Sequence, residues 1–163
     1  MLPCSHRFTT AATCCHNSFA AMVRLIGDVA SGEKGDPPST VLILSGDVHH
    51  GYLAEATFEK DAKSRIYQAV CSPLRNALPS KKSFLQNNAW TKPIALVARL
   101  LARLAGVPRE ALTWRLTHDA AFFENQIAIL ELGARSATIT FEKSVLDASK
   151  EPSLEKLYRH CLA

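Results

Sequence analysis

Several features that would narrow the choice of protein class are missing from this sequence. No uninterrupted apolar run is long enough to cross a bilayer: the longest apolar stretch, residues 93–108, carries Arg99 and Arg103. The first fifteen residues contain one Arg and no continuous apolar core, which argues against a secretory signal. There is no internal repeat and no low-complexity tract. Five cysteines (Cys4, Cys14, Cys15, Cys71 and Cys161) are an odd number without regular spacing, so no disulfide framework is expected and a reducing, cytoplasmic setting is the default. Cys161 lies third from the end, one position short of a prenylation box. Charge of one sign does not dominate either. Nineteen Lys and Arg against fifteen Asp and Glu leave a net charge of +4, too little to argue for a nucleic-acid partner.

What is present is an ordinary globular composition: 163 residues, 47% hydrophobic and 21% charged, enough for one domain with a real core. Residues 1–16 show no clear period and are expected to form a disordered leader. Residues 17–31 carry Phe19, Met22, Val23 and Ile26 on one helical face, with Asn17 or Ser18 as the N-cap. The Gly- and Pro-rich 31–40 segment is a loop. Residues 41–44 are wholly apolar and partly β-branched, which suits a strand buried on both faces. Further strands are expected at 52–58 and 65–71, and a hairpin from 127–132 and 136–142 around Gly133. Residues 94–105 have helical spacing that ends at Gly106 and Pro108. A short closing helix is expected over about 153–160, making 146–163 a terminal helix and tail after a main unit at 17–145.

The chemistry concentrates in Leu44-Ser45-Gly46-Asp47-Val48-His49-His50-Gly51, which follows the apolar strand. In an extended backbone, residues two apart project to the same side, so Asp47 and His49 are expected to face one cleft at the carboxyl end of that strand. A carboxylate and a neutral imidazole are suitable ligands for Mn, Fe or Zn. Gly46 would allow a sharp turn, and His50 would face the other way, toward solvent or a second pocket. Short Asp/His loops also occur after strands without binding any metal.

Three segments in order, VLILSGDVHHGYLAEATF, IYQAVCSPLRNALP and AFFENQIAILELG, resemble the carboxyl-terminal part of the PhoD-like metallophosphatases. That group belongs to the calcineurin-like metallophosphoesterase superfamily, and the resemblance covers about residues 17–143. It implies an α/β fold, a partial α/β/β/α sandwich. It also implies a two-metal site whose metal-bound hydroxide attacks a phosphate ester, with divalent or trivalent ions of Mn, Fe, Zn or Ca as candidate cofactors. The G-D-x-H of that group falls on Gly46-Asp47-Val48-His49, making Asp47 and His49 the implied metal ligands. His50 is a further candidate, a protonated imidazole able to assist a leaving oxygen. The superfamily's other ligand motifs (D-x-H, G-N-H and a further His) have no counterpart here. Gly27-Asp28-Val29-Ala30 imitates the site but has Ala30 in place of the His. The expectation is therefore a fragment of a metal-dependent phosphoesterase, poorly active alone and completed by an amino-terminal portion.

Other residues extend or compete with this reading. Arg75 and Asn76, after Cys71-Ser72-Pro73, are candidates to bind substrate, Arg75 through its planar fork; equally, they could be a surface Arg and its neighbour after a proline turn. Cys71 is expected to be buried rather than nucleophilic. Cys4, His6, Cys14, Cys15 and His16 fit no zinc spacing. Trp114, Phe122 and Phe123 look like core. The alternatives to an enzyme are a non-catalytic remnant or interaction module, with self-association through uncovered apolar surface, and an anion- or nucleic-acid-binding module using Lys81, Lys82, Lys92, Arg99 and Arg103. A membrane partner is not expected.

Overall fold

The computed structural model describes residues 5–58, 61–72, 74, 96–97, 100–101, 104, 112–134 and 136–163, with backbone alone over 5–17. The chain begins with helix α1 (Ser5–Ser31), followed by strands β1 (Thr40–Ser45), β2 (Tyr52–Phe58), β3 (Arg65–Val70), β4 (Leu112–Leu116), β5 (Gln126–Leu132), β6 (Ala137–Leu146) and β7 (Pro152–Cys161).

The helix starts at Ser5 rather than Asn17, so the expected leader is largely helical and the proposed N-cap lies within the helix. Its end follows local chemistry. Gly32 adopts a φ of 90°, a left-handed conformation that glycine reaches without steric cost. The Gly32 N–H donates to the Val29 carbonyl and the Glu33 N–H to the Asp28 carbonyl (3.3 and 2.8 Å). This is a Schellman closure, and Pro37 and Pro38 follow it. The carbonyl of Ala30 accepts from the N–H groups of Lys63 and Ser64, which fastens the helix end to the β2–β3 connection. Val23, Ile26 and Ala30, spaced by three and four, are the residues that meet the sheet.

Two sheets form. The first has the order β1-β3-β2-β4, with β1 parallel to β3 and the other pairs antiparallel; the second is the antiparallel β5-β6-β7. Strand alternation divides the first sheet's side chains between two cores. Leu42, Leu53, Tyr67 and Ala69 meet Ile139, Phe141 and Leu162 of the second sheet, whereas Val41, Ala56, Ile66 and Leu112 meet α1. Of the five largest fully buried side chains, Phe141, Leu53, Ile139 and Leu162 belong to the inter-sheet core and Ile66 to the helix-side core.

This corrects the expected α/β/β/α arrangement. Two sheets face each other and strands predominate, with a single helix of defined extent among the described residues, so the architecture looks like a β-sandwich rather than an α/β sandwich. A principal reason lies at the end of the chain. Residues 152–161, expected as a helix, pair with β6 along its whole length, and the second sheet is wider for it. A bulge where Phe141 pairs with Tyr158 and Glu142 with Lys156 leaves Leu157 as the extra residue. Leu157 and Tyr158 consequently both pack on the inter-sheet core. The strands expected at 52–58 and 65–71 and the 127–142 hairpin form as β2, β3, β5 and β6. Helical backbone occurs at Leu96, Val97, Leu100, Leu101 and Leu104, within the expected 94–105 helix.

Candidate functional site

The Gly46–Gly51 loop leaves the carboxyl end of β1 and must reach β2, which lies two positions away in the sheet beyond β3. It stays attached at both ends. The Cys71 N–H donates to the Ser45 carbonyl at 3.3 Å, and Gly51 and Phe122 exchange backbone hydrogen bonds of 2.7 and 2.8 Å. Gly51 is placed there by close packing: a Cβ at this position would lie 2.5–2.7 Å from three atoms of the Gln126 side chain.

The sharp turn falls on Asp47, at φ 64°, and not on Gly46. Asp is among the few side chains that tolerate this left-handed conformation. The backbone at Asp47 is therefore not extended, and strand alternation does not govern how Asp47 and His49 are related. Both residues are exposed. They lie at the carboxyl end of a strand, which pairs in parallel with β3, as surface donors on a tight loop and not facing the expected cleft. Among the described residues, no group of three or more His, Cys, Asp or Glu could hold a metal ion. Asp47 and His49 have the right chemistry for a cation, but the described residues do not fit a complete metal site around them. Arg75 and Asn76 lie outside the described residues, as do Lys81, Lys82, Lys92, Arg99 and Arg103.

Of the two directions the sequence left open for His50, solvent or a second pocket, the structure shows it turned away from solvent. It is only 9% exposed, stacked on Tyr52 with ring centroids 5.6 Å apart and tilted against Phe123 at 5.8 Å. Burial lowers its pKa, and the neighbouring His49 lowers it further. Phe123 contributes to this sandwich, while Phe122 and Trp114 pack against the inter-sheet and helix-side cores respectively.

Two polar residues behind the loop were not singled out by sequence reasoning. Gln126, 3% exposed, donates through Nε2 to the carbonyls of Ser72 (3.0 Å) and Phe122 (3.2 Å), joining the ends of three chain segments. His118 accepts at Nε2 from the Leu53 N–H (3.1 Å), so the proton sits on Nδ1, which donates to the Ala120 carbonyl (2.6 Å). Burial lowers the His118 pKa, and its ring stacks on Phe122 at 4.4 Å. Nothing in the sequence distinguishes either residue from an ordinary surface Gln or loop His; only the fold brings them to the Gly51–Phe122 bridge. Cys71 is half-buried; burial pushes its thiol pKa up, and Sγ contacts the Gln126 carbonyl at 3.8 Å. Asp28, on the imitation motif, is helical.

Comparisons with family models, with curated proteins and with solved structures find no match. No helix among the described residues is long and apolar enough to cross a membrane.

Proposed function

We propose that the chain contributes Asp47 and His49 to a metal-dependent site acting on phosphate esters, completed by donors from outside this chain. The observation that carries this reading is the left-handed Asp47. The turn at Asp47 sets an exposed carboxylate two residues from an exposed imidazole on the loop after β1, which supplies two donors that suit a divalent cation. The resemblance of Gly46-Asp47-Val48-His49 and its flanking segments to the PhoD-like metallophosphatases supplies the reaction class. His50, at the end of the loop, stacks on Tyr52 and lies tilted against Phe123. No reaction step is assigned to these residues, because two donors do not enclose a metal centre.

The reading predicts weak binding of Mn2+ or Zn2+ by the chain alone, lost in Asp47→Ala and His49→Ala, with little or no hydrolysis of an aryl phosphate ester. Titration calorimetry with the metal and a parallel hydrolysis assay test it. Metal binding unaffected by both substitutions would remove the assignment of the loop; tight binding of two ions with brisk hydrolysis would remove the need for outside donors.

A second reading, a non-catalytic interaction module, is favoured by a separate observation. An apolar groove of about 140 Å³ opens between α1 and the first sheet, lined by Phe19, Met22, Ile43, Phe58 and Trp114 among others. Retained affinity for another protein by the Asp47→Ala variant would favour this role.

A further inference from the structure

At the start of β2 the backbone departs from ladder pairing, and a histidine takes up the difference. The Thr117 N–H donates to the Leu53 carbonyl (3.0 Å), as does the Thr117 hydroxyl (3.1 Å). In an antiparallel pair of this kind the return bond would run from the Leu53 N–H to the Thr117 carbonyl. Here the Leu53 N–H donates to His118 Nε2, and the Thr117 carbonyl accepts from the Tyr158 hydroxyl (both 3.1 Å). Leu53 is fully buried, so its N–H depends on that ring nitrogen. The other nitrogen, Nδ1, donates to the Ala120 carbonyl at 2.6 Å. One ring position is committed as acceptor and the other as donor, which only the neutral Nδ1–H imidazole satisfies. The ring also stacks on Phe122 (4.4 Å) and lies tilted against Tyr158 (4.9 Å). Phe122 is the residue whose backbone bridges Gly51. The imidazole thus holds Leu53 through its edge and the bridge through its face.

We propose that His118 is a proton-operated clasp on the far end of the Gly46–Gly51 loop: neutral, it fastens Leu53 and the Gly51–Phe122 bridge, and protonated, it lets both go. The proton comes from solvent and adds to the Nε2 lone pair, the one that accepts the Leu53 N–H. Nε2 then carries a donor facing a donor, and the ring has to leave. The faces of Phe122 and Tyr158 would attract an imidazolium, but they cannot restore an acceptor to the buried N–H. The titratable and charged groups around His118 are Asp119 in its own loop, and Tyr158 and His160 on β7. Asp119 favours the charged ring and His160 opposes it; burial, the largest influence, also opposes it. The clasp is therefore closed at neutral pH and opens below about pH 6.5. The near end of the loop behaves differently. The Cys71 N–H ties it to the Ser45 carbonyl, a backbone contact that no added proton disturbs. Acid frees one end of the loop and leaves the other as a hinge. The inference goes beyond the metal-site reading and does not need it, since Asp47 and His49 take no part in the clasp.

Nuclear magnetic resonance of the full chain without added metal, between pH 7.5 and 5, tests it. At pH 7.5 the ring nitrogen shifts should place the His118 proton on Nδ1. On acidification, amide protection corrected for intrinsic exchange should fall at Gly51, Leu53 and Phe122 relative to Ile139 and Phe141 of the central strand β6. The fall should reach at most about tenfold per pH unit, the limit for one proton. Its midpoint should coincide with titration of the His118 ring and not with that of His50 or His160. His118→Gln, which offers an amide oxygen that does not titrate, should abolish the fall, and Asp119→Asn should move it to lower pH. If His118→Gln does not fold, the parent chain and Asp119→Asn still decide, because coincidence of midpoints needs no change at position 118. The proposal is overturned by an Nε2–H tautomer at pH 7.5, by protection that falls equally in β6, or by a midpoint belonging to another histidine. A fall that persists in folded His118→Gln, or a higher midpoint in Asp119→Asn, overturns it too. None of these outcomes bears on metal binding by Asp47 and His49, which is titrated at a constant pH of 7.5.

Discussion

Replacing Gly51 by Ala perturbs the candidate loop where its packing is tightest. The added Cβ would stand 2.5 Å from Gln126 Nε2, 2.6 Å from Oε1 and 2.7 Å from Cδ, roughly 1 Å inside ordinary van der Waals separation. The end of an exposed glutamine could swing away at little cost. Gln126 cannot, because it is 3% exposed and Nε2 holds the Ser72 and Phe122 carbonyls. Relieving the overlap therefore requires giving up those hydrogen bonds, at about 1 kcal/mol each, or moving the Gly51–Phe122 bridge by a similar overpacking cost of about 1–3 kcal/mol. The expected loss is about 2 kcal/mol, or about 4–8 °C in Tm for a chain of this size. Urea unfolding of Gly51→Ala, Gln126→Ala and the double variant separates the clash from other effects. In the Gln126→Ala background the partner atoms are gone, and Gly51→Ala should cost less than about 0.5 kcal/mol, giving a coupling near 2 kcal/mol. Additive losses, or a Gly51→Ala variant as stable as the parent, would refute the packing argument.

Other outcomes follow from the same structure. His118→Phe leaves the Leu53 N–H and Ala120 carbonyl without their partner and should destabilise by about 2–3 kcal/mol in urea unfolding; a loss below about 0.5 kcal/mol would mean that water replaces the ring. Acid should also destabilise the fold. Burial lowers the pKa values of His50, His118 and His160, so below about pH 6.5 the unfolded chain binds more protons than the folded one. Their contribution is complete above that pH and lost as pH falls toward the folded values; a urea midpoint that stays level or rises between pH 7.5 and 5 contradicts this. Asp47→Gly relieves the left-handed backbone and should raise stability by about 0.5 kcal/mol while removing a metal donor, so thermal unfolding and metal titration should move in opposite directions. Phe141→Ala empties the middle of the inter-sheet core and should cost about 3–5 kcal/mol.

Local chemistry made much of the chain readable. The existence of β1, the β5–β6 turn at Gly133 and the end of α1 before Gly32 all follow from short-range rules. Among the described residues, however, β1 is an edge strand with no buried residue, not the strand buried on both faces that its apolar run suggested. The error at β7 has a specific origin. Leu154, Leu157 and Tyr158 are spaced three and four apart, which imitates a helix, and the bulge at Leu157 removes the strict alternation that would have marked a strand. Pairing with β6 decides the outcome, and no local window contains that partner. β4, not anticipated as a strand, does alternate at Leu112, Trp114 and Leu116, but over only five residues. At the candidate site, Asp47 and His49 were legible as residue types on a loop. The left-handed turn at Asp47, the burial of His50 and the support from Gln126 and His118 depend on β2, β4 and β5 arriving together behind the loop.

The order β1-β3-β2-β4 has a consequence for handling the protein. β1 is an edge strand, and among the described residues nothing pairs with its outer side. Its central Val41-Leu42-Ile43-Leu44 has no proline and no charge, the two devices that most simply discourage strand addition. A row of backbone donors and acceptors along such a sequence is a template for another extended chain, and Leu44, 64% exposed, sits at the end leading into the Asp47 loop. Crowding of the purified chain should therefore first be felt at this edge, as intermolecular sheet growing outward from β1, and a single lysine at Leu44 would be the smallest change to keep neighbours away.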